Sequence, residues 1–363
     1  MVAHELTGWG ISALRDIKLP GPAKEYIGNF FWISLVVSHS VCEHRPNHGQ
    51  QFSYYSHNGF SFAPTLFQAF KLGLPIGSPT DSASGSFHEC CLHGYTFTQT
   101  LSKEELLELA EPLDDSPSLK QLVDISREFA VPILAGLFER NGDRVFNTYV
   151  CVTADGLLAR FSKLHAFVNP HLSSGDEYTV FEWSGCKFGM LICYDNNLPE
   201  NVRMTTLLGA DVIFMPHVTG CLPSVMPGRG IVDPELWRNR DRDPDRLRQE
   251  LDGPKGRGWL MRWLPTRAYE NGIYAVFTNP IGLDNGEVRN GQSMIIDPFG
   301  EVLAECRNLG DDVVTALCVP EKIEQSGGRR YIRARRPELY GKLSEPTGEP
   351  PTTEPGWELK HKK

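Results

Sequence analysis

From residue 89 onward, hydrophobic and polar positions follow two regular periods. Segments 101–113 and 116–130 repeat apolar residues at helical spacing, and Ser116 or Ser118 is a suitable cap for the second helix. Short apolar runs bounded by turn residues predict strands. Those runs are VPILAGLFE, NTYVCVTA, LLARFSKLHAF, YTVFEW, FGMLICY, DVIFMP, YAVFTNP, SMIIDPFG and VVTALCV. The pattern therefore predicts an α/β protein with a mixed sheet or two stacked sheets.

Length and composition narrow the class of protein. The chain has 363 residues, of which 40% are hydrophobic and 22% are charged, which is enough for a large buried core. Its formal net charge of -9 at pH 7 argues against nucleic acid as a partner, because phosphate binding needs an excess of clustered Lys and Arg. We therefore expect a small-molecule substrate.

The cysteines and the apolar segments set further limits. The 9 cysteines show no paired C-x-x-C spacing, so we expect no metal site and no cofactor. The apolar run at 27–37 is too short to span a bilayer, and no positively charged segment with a cleavage site precedes it. We expect a cytoplasmic protein with no membrane partner.

One cysteine stands where a strand pattern ends and a helix pattern begins. In GMLICYDNNLPE, residues 189–200, Cys193 follows an apolar run. The Asp and Asn residues after it are good N-caps for an amphipathic helix, and Pro199 and Glu200 suit its first turn. Free backbone N–H groups and the helix dipole favour a thiolate there, which makes this thiol a candidate nucleophile. The alternative is a buried, inert thiol, as most free cysteines are.

Four segments carry a resemblance to a known family. They are the E-x-x-x-x-G-Y segment Glu89–Tyr95, the S-K-x-H segment Ser162–His165, the C-x-D-x-x-x-P-E segment Cys193–Glu200 and the closing R-R-P-E-L-Y segment Arg335–Tyr340. With these segments the sequence resembles the nitrilase, or carbon–nitrogen hydrolase, superfamily from Glu89 almost to its last residues. Within that superfamily it looks like an amidase or N-carbamoyl amidohydrolase.

The resemblance implies a fold and a domain organisation. The fold is a four-layer αββα sandwich that forms a homodimer or higher homo-oligomer through its helices and C-terminal arm. Residues 86–345 form the hydrolase domain, and 346–363 form a polar tail. A Gly-, Pro-, Arg- and Asp-rich stretch at about 218–262 is a long insertion. It either caps the pocket and supplies an Arg to a carboxylate-bearing substrate, or is an exposed insertion or oligomer contact.

The resemblance also implies catalytic roles. Glu89 is the general base, with a pKa that burial raises toward the working pH. Lys163 and the backbone N–H of Tyr194 stabilise the oxyanion, and Cys193 forms a thioester that water hydrolyses. Taken singly, Glu89 is also compatible with a solvated turn carboxylate and Lys163 with an ordinary surface lysine. The joint occurrence of the motifs supports the catalytic interpretation.

The implied reaction is hydrolysis of a non-peptide carbon–nitrogen bond with release of ammonia or an amine. Amides or N-carbamoyl compounds are expected before nitriles, which the same residues could also hydrolyse. A catalytically inactive paralogue that acts in binding or assembly is the alternative from another class. Tyr95, His171 and His217 are the expected substrate contacts, because Tyr95 follows the Glu89 turn and His217 follows the strand DVIFMP.

The sequence departs from the family in two places. The family's second Glu, which positions the catalytic Lys, has Asn169 or His171 in its slot, and His171 would bring a pH response near neutrality. The family has Pro before its first catalytic Glu, where this chain has His88 at the end of SASGSFHE, a segment with little to pack.

Residues 1–85 form an atypical N-terminal segment. Residues 1–88 contain 5 Lys plus Arg and 5 Asp plus Glu, whereas the whole chain contains 36 and 45. On one interpretation this segment is not a normal copy of the family's first β-α-β unit, as after a shifted reading frame or a replaced exon. On the other it is a divergent N-terminus that folds with YIGNFFWISLVV as its first strand.

Overall fold

The computed structural model describes residues 31–37, 84–224, 226–310 and 312–346. The strands of this part of the chain are β1 Phe31–Val37, β2 Gly85–Ser86, β3 Ile133–Asn141, β4 Arg144–Thr153, β5 Gly156–Ser162, β6 Leu172–Ser173, β7 Thr179–Trp183, β8 Cys186–Met190, β9 Val212–Pro216, β10 Tyr274–Thr278, β11 Ile281–Asp284, β12 Glu287–Asn290, β13 Met294–Ile296, β14 Val302–Glu305 and β15 Asp312–Cys318.

Short helices connect and flank these strands. The α-helices are α1 Lys103–Leu109, α2 Pro117–Phe129, α3 Pro199–Leu207, α4 Pro234–Arg238, α5 Pro244–Asp252, α6 Arg257–Leu260, α7 Leu264–Asn271, α8 Pro320–Gln325 and α9 Gly327–Arg333. Turns of 3₁₀ helix lie at Thr96–Thr100, Leu113–Asp115, Cys193–Asn197, Pro337–Leu339 and Gly341–Ser344.

The described strands form two large sheets and one hairpin. The first sheet has the order β15–β1–β2–β3–β4–β5, with β6 paired to β4. The second has the order β14–β13–β10–β9–β8–β7, and β11 pairs with β12. In both sheets parallel pairs, such as β1 with β2 and β8 with β9, stand beside antiparallel ones. The fold is thus a mixed α/β architecture, as the sequence pattern predicted.

Strand β1 lies inside the N-terminal segment whose composition is atypical. It pairs along its whole length with β15 and at two positions with β2. This strand falls within YIGNFFWISLVV, the stretch that one interpretation takes as the first strand. The other interpretation concerns residues that lie mostly outside the described part of the chain, and it stays a prediction.

Two hydrophobic layers hold the sheets and helices together. The larger core joins Tyr149 and Cys151 of the first sheet to Ile213 and Phe277 of the second, so the two sheets pack against each other. A second cluster packs the apolar face of α2 against the outer side of β3 and β4. Full burial of each such side chain contributes about 1.5–3 kcal/mol. These packed sheets carry the turns that form the site described below.

The short strand β2 packs better than its composition suggests. Phe87 and Ser86 are fully buried, and the Ser86 hydroxyl lies 3.0 Å from the Tyr149 hydroxyl. Tyr149 in turn donates a hydrogen bond of 2.7 Å to the carbonyl of Phe87. The expectation that SASGSFHE has little to pack was therefore wrong, because small residues let β2 fit between β1 and β3.

Helix caps agree with the sequence in one place and differ in another. Ser116, not Ser118, caps α2 by accepting a hydrogen bond from the N–H of Leu119. The residues after Cys193 were expected to cap an α-helix, but they form a turn of 3₁₀ helix, and α3 begins only after Leu198 without a side-chain cap. The Asp195 side chain has another function, described below.

The long stretch between β9 and β10 contains the four short helices α4 to α7. Cys221, Val232, Trp237 and Leu247 of this stretch form a separate hydrophobic cluster with residues of the β11–β12 hairpin. The stretch is therefore packed onto the body of the protein through the hairpin. Among all described residues, no helix is long and apolar enough to cross a membrane.

Candidate active site

Cys193 lies in a strained turn directly after strand β8. Its φ of 50° places a non-glycine residue in the left-handed region, which costs on the order of 1–3 kcal/mol. The Asn196 amide stabilises the turn by donating a hydrogen bond of 2.8 Å to the carbonyl of Leu191. Cys193 is 9% exposed, so the turn holds this residue at the border between the core and the cavity.

The Asp195 carboxylate joins the cysteine turn to the loop that carries Lys163. It accepts hydrogen bonds from the N–H groups of Ile192, Leu164 and His165, at 3.3, 3.2 and 3.0 Å. The Nδ1 atom of His165 lies 2.8 Å from the same carboxylate. Because Asp195 is fully buried, these contacts fix the two turns relative to each other.

Arg267 of α7 supports the cysteine turn from the opposite side. Its guanidinium donates hydrogen bonds to the carbonyls of Asn196 and Asn197, at 3.1 and 2.8 Å. These carbonyls belong to the 3₁₀ helix that starts at Cys193. The turn is therefore held through its backbone as well as through the Asp195 carboxylate.

Glu89 lies immediately beyond β2 and is completely buried. Its Oε1 accepts hydrogen bonds from the Lys163 ammonium at 2.6 Å and from the Asn147 amide at 2.7 Å. Its Oε2 accepts a hydrogen bond of 3.0 Å from the N–H of Val218. Both carboxylate oxygens are thus oriented by groups from three other parts of the chain.

Gly136 lets strand β3 pass close to the Glu89 turn. An ideal Cβ at this position would lie 2.2 Å from the backbone nitrogen of Cys90 and 3.0 Å from the Cα of Glu89. These distances are too short for any side chain, so the packing of this turn against β3 requires glycine.

His93, in the same turn as Glu89, is held by hydrogen bonds of its own. The Nδ1 atom of His93 accepts a hydrogen bond of 2.9 Å from the N–H of Phe138, which leaves Nε2 to donate to Glu111 at 3.2 Å. Burial alone raises the pKa of Glu111, but hydrogen bonds from His93, Ser116 and Ser118 lower it from 4.5 to about 2.

Lys163 follows β5 and is 1% exposed. Its ammonium group lies 5.7 Å from the ring centroid of Tyr95 and 4.8 Å from that of Phe167. Burial lowers the pKa of Lys163, but the charges of Glu89, Tyr95 and Cys193 raise it, and the net result lies well above 10.5. The lysine therefore remains a cation beside Cys193.

A cleft of about 630 Å³, counted to its open mouth, lies over these groups. Side chains from the motif segments Glu89–Tyr95 and Cys193–Glu200 line it, together with Phe167 and Val168 and with residues of the stretch between β9 and β10. Among its lining residues are Tyr95, Phe167, Cys193, Tyr194, His217 and Trp259. Cys193 thus lines the cleft, and the buried pair of Glu89 and Lys163 lies next to it, since Lys163 is close to the Phe167 ring and Glu89 accepts a hydrogen bond from the N–H of Val218.

The three predicted substrate contacts have different positions. Tyr95 and His217 line the cleft, whereas His171 is exposed and is not among the lining residues. His217 is 1% exposed, and burial, helped by Lys163, lowers its pKa well below 6.5. It is therefore a neutral imidazole at pH 7, with Nε2 3.2 Å from the Asn196 amide.

Asn169, in the slot of the family's second Glu, has a structural contact that explains the position of His171. Its amide donates hydrogen bonds of 2.8 Å to the carbonyls of Thr98 and Leu101, and its Oδ1 accepts one from the N–H of His171. Asn169 is therefore turned into the protein, and the chain after it runs along the surface. The partners of the Lys163 ammonium named above, Glu89, Tyr95 and Phe167, do not include Asn169 or His171.

The described part of the chain contains no group of three or more His, Cys, Asp or Glu side chains that could hold a metal ion. Its cysteines, from Cys90 to Cys318, are free thiols. A cysteine that lines a cleft, with an ion-paired lysine and carboxylate buried next to it, can carry out acyl transfer, in which the thiol attacks an electrophilic carbon and the cation stabilises the oxyanion.

The chain belongs to the carbon–nitrogen hydrolase family, since the model of that family matches residues 86–326. It is therefore an enzyme of the nitrilase superfamily that acts on carbon–nitrogen bonds. The match includes Cys193, which lines the cleft, and the buried pair of Glu89 and Lys163 next to it.

Two curated relatives agree with this assignment. An (R)-stereoselective amidase from a Pseudomonas species is 32% identical over 247 residues, which cover 66% of this chain and 77% of the relative. An N-carbamoylputrescine amidase from Solanum lycopersicum is 27% identical over 264 residues, which cover 68% of this chain and 79% of the relative.

Solved structures show the same fold. A carbon–nitrogen hydrolase from Helicobacter pylori G27 superposes with a TM-score of 0.65 and 20% identity, covering 88% of this chain and 100% of that one. A mutant amidase from Nesterenkonia sp. AN1 gives 0.57 and 18%, covering 86% and 96%. In that amidase the acetamide moiety of fluoroacetamide is added covalently at the active site cysteine.

Several residues of the site have roles that the motif comparison did not assign. Asp195 and His165 were part of the motifs, but their contact joins two turns that are about 30 residues apart and becomes visible only in three dimensions. Asn147 lies on strand β4, where it looked like an ordinary strand residue. Its complete burial is the signal that separates it from a surface position.

Proposed function

We propose that this enzyme hydrolyses the carbon–nitrogen bond of an amide or N-carbamoyl compound through a thioester on Cys193. The observation that carries the proposal is the buried pair of Glu89 and Lys163, 2.6 Å apart, beside a cysteine in a left-handed turn. An ion pair buried to this degree contributes little net stability, so a catalytic reason for keeping it is favoured.

Each residue has a defined step in the proposed reaction. Glu89 accepts the thiol proton while the Cys193 sulfur attacks the carbonyl carbon and forms a carbon–sulfur bond. The oxyanion is stabilised by Lys163 and by the backbone N–H of Tyr194. Glu89 then protonates the departing nitrogen, and the carbon–nitrogen bond breaks to release ammonia or an amine.

Water completes the cycle. Glu89 takes a proton from a water molecule that attacks the thioester carbon, and the carbon–sulfur bond breaks as Glu89 returns that proton to the sulfur, which gives the acid and the free thiol. The neutral His217 and the Tyr95 ring line the same cleft and are proposed substrate contacts. For His171, the exposed position described above argues against direct contact with the substrate.

Two alternatives remain to be separated from this proposal. The same three residues would hydrolyse a nitrile, and the relatives carry both names, since a relative from Pyrococcus abyssi that is 29% identical over 226 residues is named a nitrilase. An inactive paralogue would bind a ligand without turnover. The connected hydrogen bonds around Glu89 support a working base and not a vestigial one.

The test is ammonia release from a panel of amides, N-carbamoyl amino acids and nitriles. We expect the wild type to release ammonia from amides or N-carbamoyl compounds, and Cys193→Ala to lose about 10⁴-fold or more of that rate. Cys186→Ala, which removes a thiol from the core, is the matched control. Equal activity of Cys193→Ala and the wild type would rule out the proposed nucleophile, and release from nitriles alone would rule out the substrate class.

We also propose that the two sheets and their flanking helices form a four-layer αββα domain over residues 86–345 and that this domain forms a homodimer. Exposed apolar side chains support a dimer surface on α3, α7, α9 and the C-terminal segment. Leu208, Tyr269, Tyr331 and Leu339 are 52%, 44%, 44% and 63% exposed. Helix α7 packs against both α3 and α9, so these three helices are neighbours.

The dimer is tested by sedimentation velocity. We expect Leu208→Asp to shift the wild-type dimer toward the monomer, because a buried charge opposes association. Leu157→Asp is the control, since Leu157 lies on β5 and is 41% exposed. A monomeric wild type would rule out the proposed assembly.

A further inference from the structure

His217 lines the cleft, but no catalytic step described above uses its imidazole. The residue follows strand β9 directly and is 1% exposed. Its ring contacts the rings of Trp263 and Phe277, whose centroids lie 5.8 and 4.8 Å away. These contacts hold the imidazole in one orientation, so its two nitrogen atoms have different and fixed surroundings.

Asn196 determines which nitrogen of this imidazole carries the proton. The Asn196 amide nitrogen lies 2.8 Å from the carbonyl of Leu191 and 3.2 Å from Nε2 of His217. A carbonyl can only accept, so the amide turns its nitrogen toward Leu191, because the reverse orientation would set two oxygens against each other. Nε2 therefore accepts the second amide N–H, and the proton of the neutral ring lies on Nδ1.

The Nδ1–H group has no hydrogen-bond partner among the described residues. It is also not one of the completely enclosed side-chain atoms without a partner, so the small accessible part of His217 includes Nδ1. Donors of buried residues are nearly always paired in folded proteins. A single donor that opens into a cleft is therefore suited to an acceptor atom of a ligand.

This donor lies between the proposed base and the nucleophile turn. The next residue, Val218, donates its N–H to Oε2 of Glu89 at 3.0 Å. On the other side, Nε2 of His217 contacts Asn196, which belongs to the same turn of 3₁₀ helix as Cys193. The Nδ1–H group is therefore close to the place that the substrate carbonyl must occupy during attack by Cys193.

We propose that His217 selects amide substrates whose acyl chain carries an acceptor oxygen close to the reacting carbonyl, as an ether, hydroxyl or carbonyl group. The Nδ1–H group donates a hydrogen bond to that oxygen. An acyl chain with only methylene groups at this place leaves the donor without a partner, which weakens binding. The inference rests on the proposed hydrolase function and names the substrate class of the same site.

The long stretch at 218–262 does not supply the contact that one reading of the sequence expected. Among its described residues, Val218, Thr219, Leu222 and Trp259 line the cleft, and no arginine does. An Arg of this stretch is therefore not in place to bind a substrate carboxylate. The uncharged donor of His217 suits an uncharged oxygen instead, because a buried carboxylate needs a cation to compensate its charge.

The tautomer is tested by nitrogen-15 NMR of the histidine-labelled enzyme. The spectrum of His217→Asn identifies the two nitrogen signals of His217, because they are missing from it. At pH 7 we expect a protonated Nδ1 and an unprotonated Nε2. A proton on Nε2, or a charged ring, would overturn the proposal.

Equilibrium binding to Cys193→Ala tests the preference without turnover. Two pairs of probes exchange one methylene group for an ether oxygen: methoxyacetamide against butanamide, and 3-methoxypropanamide against pentanamide. Calorimetry should show about three- to tenfold tighter binding of the ether in at least one pair. Equal binding within both pairs, or tighter binding of both alkyl amides, would refute the selectivity.

Two variants separate the donor from the contact with Asn196. The side-chain amide of Asn takes the place of Nδ1, whereas that of Gln takes the place of Nε2. In the Cys193→Ala background, His217→Asn should keep most of the ether preference, and His217→Gln should reduce it to about twofold or less. A full preference in His217→Gln would exclude the Nδ1 donor. Loss of the preference in both variants, with unchanged melting temperatures, would assign it to the ring and also overturn the proposal.

Turnover separates this proposal from the proposed function. Ammonia release from both members of each pair with equal kcat/KM would refute the selectivity and leave the hydrolase function intact. An ether preference in binding without ammonia release from any amide would support the His217 contact and refute the amide hydrolysis.

Turnover of butanamide also separates selectivity from catalysis. Butanamide has no acceptor for the Nδ1–H group, so His217→Gln should leave its kcat within about threefold of the wild type. A loss of about 10²-fold or more would show that the N–H stabilises the oxyanion, and the proposed selectivity role would be wrong.

Discussion

The bottom of the cleft, called its base below, and the wall formed by the β11–β12 hairpin and Trp259 are built in different ways. At the base, three turns that carry sequence motifs hold one another: Lys163 pairs with Glu89, and Asp195 bonds to His165. The wall combines a hairpin with side chains such as Trp259 from the helical stretch between β9 and β10. Short motifs thus mark the residues of the base, whereas the wall consists of positions that no motif marks.

The comparison predicts that changes at the base act mainly on kcat. Lys163→Met should lower kcat by about 10²–10³-fold, because it removes the proposed oxyanion donor and leaves Glu89 buried without its cation. The unpaired charge should also cost about 3–5 kcal/mol of stability, measurable by thermal melting. Lys187→Met, at an exposed position, is the control. A Lys163→Met enzyme with nearly normal kcat would contradict the proposed oxyanion role.

The next largest effect is expected at Asp195, which joins the Cys193 turn to the Lys163 turn. Asp195→Asn should lower kcat by about 10- to 100-fold while KM changes little, because hydrogen bonds to a charged group are lost between the Cys193 and Lys163 turns. The alkylation rate of Cys193 should fall as well, which a purely global loss of stability would not explain. Asp155→Asn, at an exposed position, serves for comparison. A change in KM alone would show that Asp195 acts on binding.

Changes in the wall should act on KM and leave kcat nearly unchanged. Trp259→Ala removes a ring from the cleft and should raise KM by about three- to tenfold with kcat within about twofold, the pattern expected when uniform binding is lost. Steady-state kinetics on one amide are sufficient. Trp183→Ala, at a half-buried position outside the cleft, is the matched control. If kcat falls as far as in the Lys163 variant, the distinction between base and wall is wrong.

The smallest expected effect is that of Glu111, the partner of His93, and it concerns stability alone. The folded pKa of Glu111 is about 2, below its ordinary 4.5, so ionised Glu111 stabilises the fold fully above about pH 4.5. That contribution, about 1–3 kcal/mol, is lost as the pH falls toward 2. Melting curves should therefore show Glu111→Gln several degrees below the wild type at pH 6, with the gap closing below pH 4.5. A gap that stays constant with pH, or one shared by Glu104→Gln, would exclude this explanation.

The sequence predicted the parts of the site that depend on local order. Cys193 was placed at the end of a strand because apolar runs and turn residues mark such junctions, and the structure has β8 ending at Met190. The family motifs identified Glu89 and Lys163, which stand 74 residues apart but share a 2.6 Å contact. Periodicity alone would not have paired them, because it carries no information about contacts between distant turns.

The sequence failed where a side chain has two possible partners. Asp195 is a good helix cap in isolation, but in the fold its carboxylate binds the N–H groups of the neighbouring loop instead. His171 looked like a replacement for the family's second Glu, yet Asn169 turns the chain so that His171 is exposed. Both outcomes depend on tertiary contacts that local propensity does not encode.

The close approach at Gly136 has a consequence for the interpretation of sequence variants. Gly136 belongs to none of the motif segments and would be scored as an unremarkable strand position in a motif scan. Every missense codon change at this position nevertheless adds a Cβ where only 2.2 Å separates it from the backbone of Cys90. A protein with such a substitution should lose the Glu89 turn while Glu89, Lys163 and Cys193 themselves remain intact.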